Sequence, residues 1–232
     1  MNRAQMLTTH GASLLGITTL LLAVIMLFTF PSRADLPDGF STPIIAFEFA
    51  RSEADLSYLA GTSTTSQRNR QMMDAGHQWD MAFPFAYGGF IAMLLLHMQS
   101  RGHRISLLGI PLALAIIPFD IHENLVLLNI TSALAAASPV TELLAQLHVA
   151  TWLKWAALGA SIAVLAICLF RAREFSFAVI ALAAALSVAA CGVLDYRPVA
   201  AEAMSAVISL FFLVFTVRAC VRSWTLLRQT TG

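Results

Sequence analysis

Charge is what this chain has least of. Lys, Arg, Asp and Glu make up 12% of its 232 residues, against about 25% in a soluble domain, which excludes a solvated globule. The few charges nearly cancel, to a formal +1, so no basic field points to nucleic acid. Cysteine is scarce too. Cys168, Cys191 and Cys220 lie scattered in apolar runs, with neither the close pairs of a zinc site nor the pattern of a disulfide framework. They read as buried thiols. The H-E-x-x-H pair, the G-x-S-x-G elbow, the Walker loop and the dinucleotide fingerprint are all missing, and no internal repeat is visible.

Apolar sequence is what remains. Hydrophobic residues account for 58% of the chain, and the mean hydropathy is +0.75. A membrane span needs about 20 mainly apolar residues. Six segments qualify, roughly 12–30, 79–98, 105–129, 148–170, 175–196 and 200–221. The expected fold is therefore all-α: a single integral-membrane domain over residues 1–232, built as a bundle of about six transmembrane helices. Its one long connection is an extracytoplasmic loop, residues 31–78.

Arginines orient the bundle. Arg3, Arg101, Arg104, Arg171, Arg173, Arg218, Arg222 and Arg228 all fall on one side, and the short loops opposite carry only Arg197. Positive residues in short loops mark the cytoplasmic side, so both termini are expected inside a cell inner (plasma) membrane that the chain crosses several times. The first segment has a rival reading. Arg3, an apolar run and S-R-A before Asp35 resemble a cleavable signal, but Ala12–Phe30 outruns the usual apolar core of about 7–15 residues, which favours a retained span.

The loop carries signals of its own. Ser52-Glu53-Ala54-Asp55 matches a Ser-x-x-acid helix start, which predicts a short helix from Glu53 to Ala60 stopped by Gly61. The run I-I-A-F-E-F-A before it is expected to lie flat on the membrane or to cap the bundle. T-S-T-T-S-Q-R-N-R reads as a polar linker.

The polar residues inside the spans converge. Asp120 lies sixteen residues beyond Arg104, ~24 Å along a helix, in the outer half of a hydrocarbon layer of about 30 Å. Glu123 and Asn124 follow at i+3 and i+4, on the same face. His122 points about 200° away. Pro118 weakens the local backbone ladder and is positioned to bend the helix beside the carboxylates. On the second span Asp80, Phe83, Pro84 and Tyr87 share a face, and Gly88 and Gly89 permit a close helix approach. On the fourth span His148, Thr151, Trp152 and Trp155 share a face. The fifth span ends at Asp195, which most simply pairs with Arg197. A charged side chain at the bilayer centre costs about 2.5–3.5 kcal/mol on the insertion scale, so Asp120 and Glu123 must face the bundle interior or a wet cavity. They are the candidate catalytic acid and base. Asn124, Asp80, Tyr87, His148 and Asp195 are the candidate binding residues.

Plainer readings compete. The Asp120 cluster also fits a structural knot between helices, and Asp80 beside Trp79 also fits an interface anchor. Lys154 is read as a snorkelling side chain reaching the outer headgroups, with an ion pair to Glu123 or Asp80 as its rival. A mixed oxygen and nitrogen metal site has no supporting spacing. Haem would need facing histidines at one depth, so no metal is assigned and the cofactor stays unknown.

Four stretches stand out together: A-F-E-F-A, W-D-M-A-F-P-F-A-Y-G-G, D-I-H-E-N and T-W-L-K-W. The set, from about Ile44 to Trp155, resembles a group of uncharacterised bacterial multi-span inner-membrane proteins. The resemblance implies a bacterial inner membrane and carries no activity. Three functions remain open: a cavity for lipid or isoprenoid chemistry or binding, a proton-coupled transporter or channel component, and an assembly factor that docks a protein partner on its outer loop. Membrane lipids are the partners expected first.

Overall fold

A computed structural model describes residues 3–32, 34–194 and 197–231. Among them every regular element is helical. Six helices are long and apolar enough to cross a membrane, as the sequence predicted. α1 spans Arg3–Thr29, α2 Pro43–Glu48, α3 Thr64–Asp80 and α4 Phe83–Ser100. α5 spans Ser106–Ala135, α6 Thr141–Arg171, α7 Phe175–Val193 and α8 Pro198–Thr231. A 3-10 turn, Glu53–Leu56, lies between α2 and α3. It begins at Ser52, where the Asp55 carboxylate accepts from the Ser52 backbone at 2.9 Å. The capping signal was correct, but the helix is shorter than Glu53 to Ala60.

The polar linker is not a linker. Ser63 caps α3 by accepting from the Ser66 amide at 3.0 Å, and the helix runs on through Arg68, Asn69 and Arg70. The hydrophilic side chains are spent locally. Asn69 donates to the Tyr58 carbonyl at 3.0 Å, and Arg70 donates to the carbonyls of Leu59 and Gly61. Composition read these residues as solvated, whereas they fasten the loop to α3. α3 and α4 together form one 37-residue span with a break at Met81 and Ala82, where Pro84 opens α4.

The bundle closes by small-residue contacts. A Cβ on Gly88 would lie 2.9 Å from the Ala113 carbonyl, so α4 meets α5 backbone to backbone. A Cβ on Gly16 would lie 2.6 Å from Thr216 Oγ1, which seats α1 against α8. α1 thus packs as a full member of the bundle. α5 remains helical through both Pro111 and Pro118.

Two hydrophobic cores result. The larger holds Phe90, Ile91, Leu95, Ile116, Leu158, Ile162, Phe211 and Phe215. The smaller, at the loop end, gathers Phe30, Phe47, Leu56, Leu59, Met73, Leu127, Ile130 and Leu147 from α1, α2, the 3-10 turn, α3, α5 and α6. Thr131 binds Asp74 at 2.6 Å and Glu53 accepts from the Val140 amide at 3.3 Å, which ties this cap together. α5, at ~45 Å, is longer than a hydrocarbon core of about 30 Å, so its end stands in the cap.

At the arginine-rich end, Arg101, Arg218 and Arg222 converge on Glu174. Burial pushes the Glu174 carboxyl up, but the three guanidinium groups outweigh it and hold the value below the ordinary one. A depressed native value stabilises the fold above the unfolded pKa, and that gain is lost as pH falls through the native value. Thermal unfolding in detergent should therefore show a drop in Tm below about pH 4.5 that Glu174→Gln removes. Gly76 supplies a second check. Its Cβ would sit 2.3 Å from the Phe30 ring, so Gly76→Ala should cost about 1–3 kcal/mol in the same unfolding experiment.

Candidate functional site

Between the two cores lies one polar layer. Along α5, Ile116 belongs to the larger core and Leu127 to the smaller, and Asp120, Glu123 and Asn124 lie between them. Along α6, Lys154 lies between Leu147 and Leu158. On α3 and α4, His77 and Asp80 lie between Met73 and Phe90. Lys154 is seventeen residues from Arg171 and Tyr87 fourteen from Arg101, ~26 and ~21 Å along their helices. These match the ~24 Å of Asp120, so three helices bring their polar groups to one depth.

Lys154 organises the layer. It is the only lysine among fourteen basic residues and is 5% exposed. Its ammonium reaches Glu48 Oε1 at 3.0 Å and Asp120 Oδ1 at 3.8 Å, and it pairs directly with Glu123. The expected snorkelling Lys154 is thus corrected. The ammonium points inward because three carboxyl groups meet it there, and those pairs offset its desolvation. The rival ion pair to Glu123 is present.

Glu48 arrives from the loop. Pro43 starts α2 and the helix ends at Glu48, whose Oε2 accepts from the Trp155 indole at 3.2 Å. Its carbonyl accepts from Thr151 at 3.2 Å. Burial pushes the Glu48 carboxyl above its ordinary value, against the opposing pull of Lys154. The run I-I-A-F-E-F-A therefore caps the bundle rather than lying flat on the membrane. The loop is anchored again where Glu202 of α8 accepts from the amides of Ser41 and Thr42, both at 2.8 Å, and from the Thr42 hydroxyl at 2.7 Å.

Tyr87 donates to Asp120 Oδ2 at 2.5 Å. Asn124 Oδ1 lies 3.2 Å from His77 Nδ1, and the His77 ring packs edge-on to Phe30 at 5.4 Å between centroids. His77 Nε2 has no hydrogen-bond partner among the described residues.

A cavity of about 440 Å³ opens onto this layer. Its floor is Glu48, Asp80, Tyr87, Asp120 and Lys154, and its apolar walls include Met26 of α1, Phe30 just beyond it, and Ile208 and Phe212 of α8. Its exposed lining residues are Leu27 of α1, Ser209 of α8 and Ser32 and Ser41 of the loop. Glu123 does not line the cavity and is linked to it through Lys154 and its neighbour Asp120.

The structure brings together Asp120, Glu123, Asn124, Asp80 and Tyr87 of the sequence candidates. His148 is left out: it is exposed on α6 and does not line the cavity. His148 shares the helical face of Thr151 and Trp155, but it lies nearer the start of α6, beyond the residues that line the cavity. His122 is exposed as well. Asp195, with its expected Arg197 pairing, lies outside the described residues. Sequence reasoning did not select Glu48 or Lys154 for the site. A lone glutamate in an apolar run and a lone lysine among arginines were the available signals. No group of three or more His, Cys, Asp or Glu side chains with metal-binding geometry occurs among the described residues.

Compared with protein-family models, curated proteins and solved structures, the chain matches none of them. Six apolar helices make it a multi-pass membrane protein, and its function must be argued from the polar layer itself.

Breaking a buried ion pair by removing one partner costs about 3–5 kcal/mol. Lys154→Met should show a loss of that size in detergent unfolding, and more than Glu123→Gln, because it strands several carboxylates at once.

Proposed function

We propose that this protein binds an amphipathic lipid or isoprenoid in the cavity between α1 and α8 and exchanges protons with its head group. One observation carries this reading: a single cavity joins apolar walls on α1 and α8 to a floor of Glu48, Asp80, Asp120, Tyr87 and Lys154. A tail enters sideways through the mouth beside Leu27 and lies against Met26, Phe30, Ile208 and Phe212. The head meets Asp120, whose second oxygen is held by the Tyr87 hydroxyl. Asp120 is the group placed to touch the ligand. Glu123 completes the acid–base couple through the shared Lys154 ammonium, so a change of charge on one carboxyl is felt by the other. Asp80 orients the head group from the α3 side, and Asn124, behind the cavity wall, holds His77. With the arginine-rich end inside, the mouth serves the outer leaflet.

Proton-coupled transport fits less well. Below the layer, Phe90, Leu95, Ile116, Ile162, Phe211 and Phe215 are fully buried and apolar, and the buried polar side chains there among the described residues, Ser13, Thr19, Ser161 and Thr216 included, are uncharged hydroxyls, so no buried carboxylate continues the layer toward the arginine-rich end. Docking of a protein partner on the loop is set aside because the loop's apolar residues, Phe47, Leu56 and Leu59 among them, are already buried in the cap.

The test is extraction of bound lipid from gently purified protein, read by mass spectrometry. Wild type should carry a defined polar lipid or quinone. Asp120→Asn should lose about tenfold in occupancy, the worth of one charge-assisted hydrogen bond. Equal occupancy in both, or an empty wild type, overturns the reading.

A further inference from the structure

The other end of the bundle carries a second, independent site. Three guanidinium groups, Arg101 at the end of α4 and Arg218 and Arg222 one turn apart on α8, meet the single carboxylate of Glu174. The formal balance is positive by two. Arg218 is buried, its guanidinium 4.4 Å from the Phe177 ring centroid and 5.5 Å from that of Phe215. Its Nε has no hydrogen-bond partner among the described residues. Beside the arginines runs a groove of about 340 Å³ lined by Thr9, His97, Arg101, Arg222 and Thr225, with no acidic side chain in its wall. A narrower recess continues from it to Arg218, Thr8 and His97.

Positive-inside placement explains why arginines sit at this end. It does not explain why they converge, since arginines that only set orientation stand apart in headgroup solvent. Here they are drawn together against repulsion, and one carboxylate neutralises only part of the sum. Forked donors, hydroxyls and surplus positive charge in one groove match a phosphate oxyanion. We propose that the groove between α1, α4 and α8 binds a phosphate group, held by Arg101 and Arg222, with the Arg218–Glu174 pair positioning both. The groove lies at the ends of the spanning helices, where a phospholipid headgroup and a soluble phosphate compound both have access.

The experiment titrates full-length protein in detergent with phosphatidylglycerol, with diacylglycerol of the same chains and with inorganic phosphate, followed by native mass spectrometry. Wild type should bind phosphatidylglycerol about tenfold tighter than diacylglycerol, and Arg222→Gln should lose that difference. Arg228→Gln, outside the groove, should keep it. Arg222 is 39% exposed, so its replacement leaves the core intact and costs no more than one exposed ion pair, and a Tm close to the wild-type value confirms this. Displacement of the lipid by millimolar phosphate assigns the site to a soluble phosphate compound, and persistence of the lipid assigns it to the membrane. Equal binding of phosphatidylglycerol and diacylglycerol, or an equal loss in both variants, overturns the proposal. None of these outcomes depends on Asp120 or on the cavity at the opposite end.

Discussion

One buried ammonium holds the structure to its purpose. Lys154 gathers Glu48 from the loop and Asp120 and Glu123 from α5, and Asp120 brings Tyr87 from α4. An ion pair in low dielectric seldom stabilises more than an apolar contact of the same size. It does, however, demand its partners, since any one left alone is costly. The pairings therefore specify how α2, α4, α5 and α6 register against one another. The cap, the layer and the cavity follow from that register.

The layer is protected on both sides. The cap core of Phe47, Leu56, Leu59 and Met73 shields it from the loop side. The larger core seals it from the arginine-rich end. The cavity beside it sets apolar faces of α1 and α8 against these charges. Each end of the bundle concentrates one sign: carboxyl groups around one lysine at one level, guanidinium groups around one glutamate at the other.

Much of this was legible in the residues. Six apolar runs stood out because each must satisfy its backbone internally in lipid. Asp120, Glu123 and Asn124 stood out because their spacing places them on one helical face in a span that is otherwise apolar. Asp80 and Tyr87 followed by the same periodicity. The failures share one cause. Lys154 was read from its own helix as a surface cation, and Thr62 to Arg70 from composition as a linker. In both cases the deciding partners belong to another segment: Glu48 is 106 residues from Lys154, and the carbonyls bound by Asn69 and Arg70 lie 9 to 11 residues back, in the turn before α3. His148 erred in the other direction, since a shared face does not ensure a shared pocket.

The amino-acid sequence by itself determined the class of the molecule, the number of helices long enough to span and the shared face of the α5 carboxylates. These depend on hydropathy and helical rise, which are local. Tertiary structure alone decided that a loop glutamate and a lone lysine join the polar layer, that Asp120 lines the cavity while Glu123 does not, and that α1 and α8 supply that cavity's apolar walls. Each of these depends on which distant side chains meet a buried charge, and no local periodicity encodes that choice.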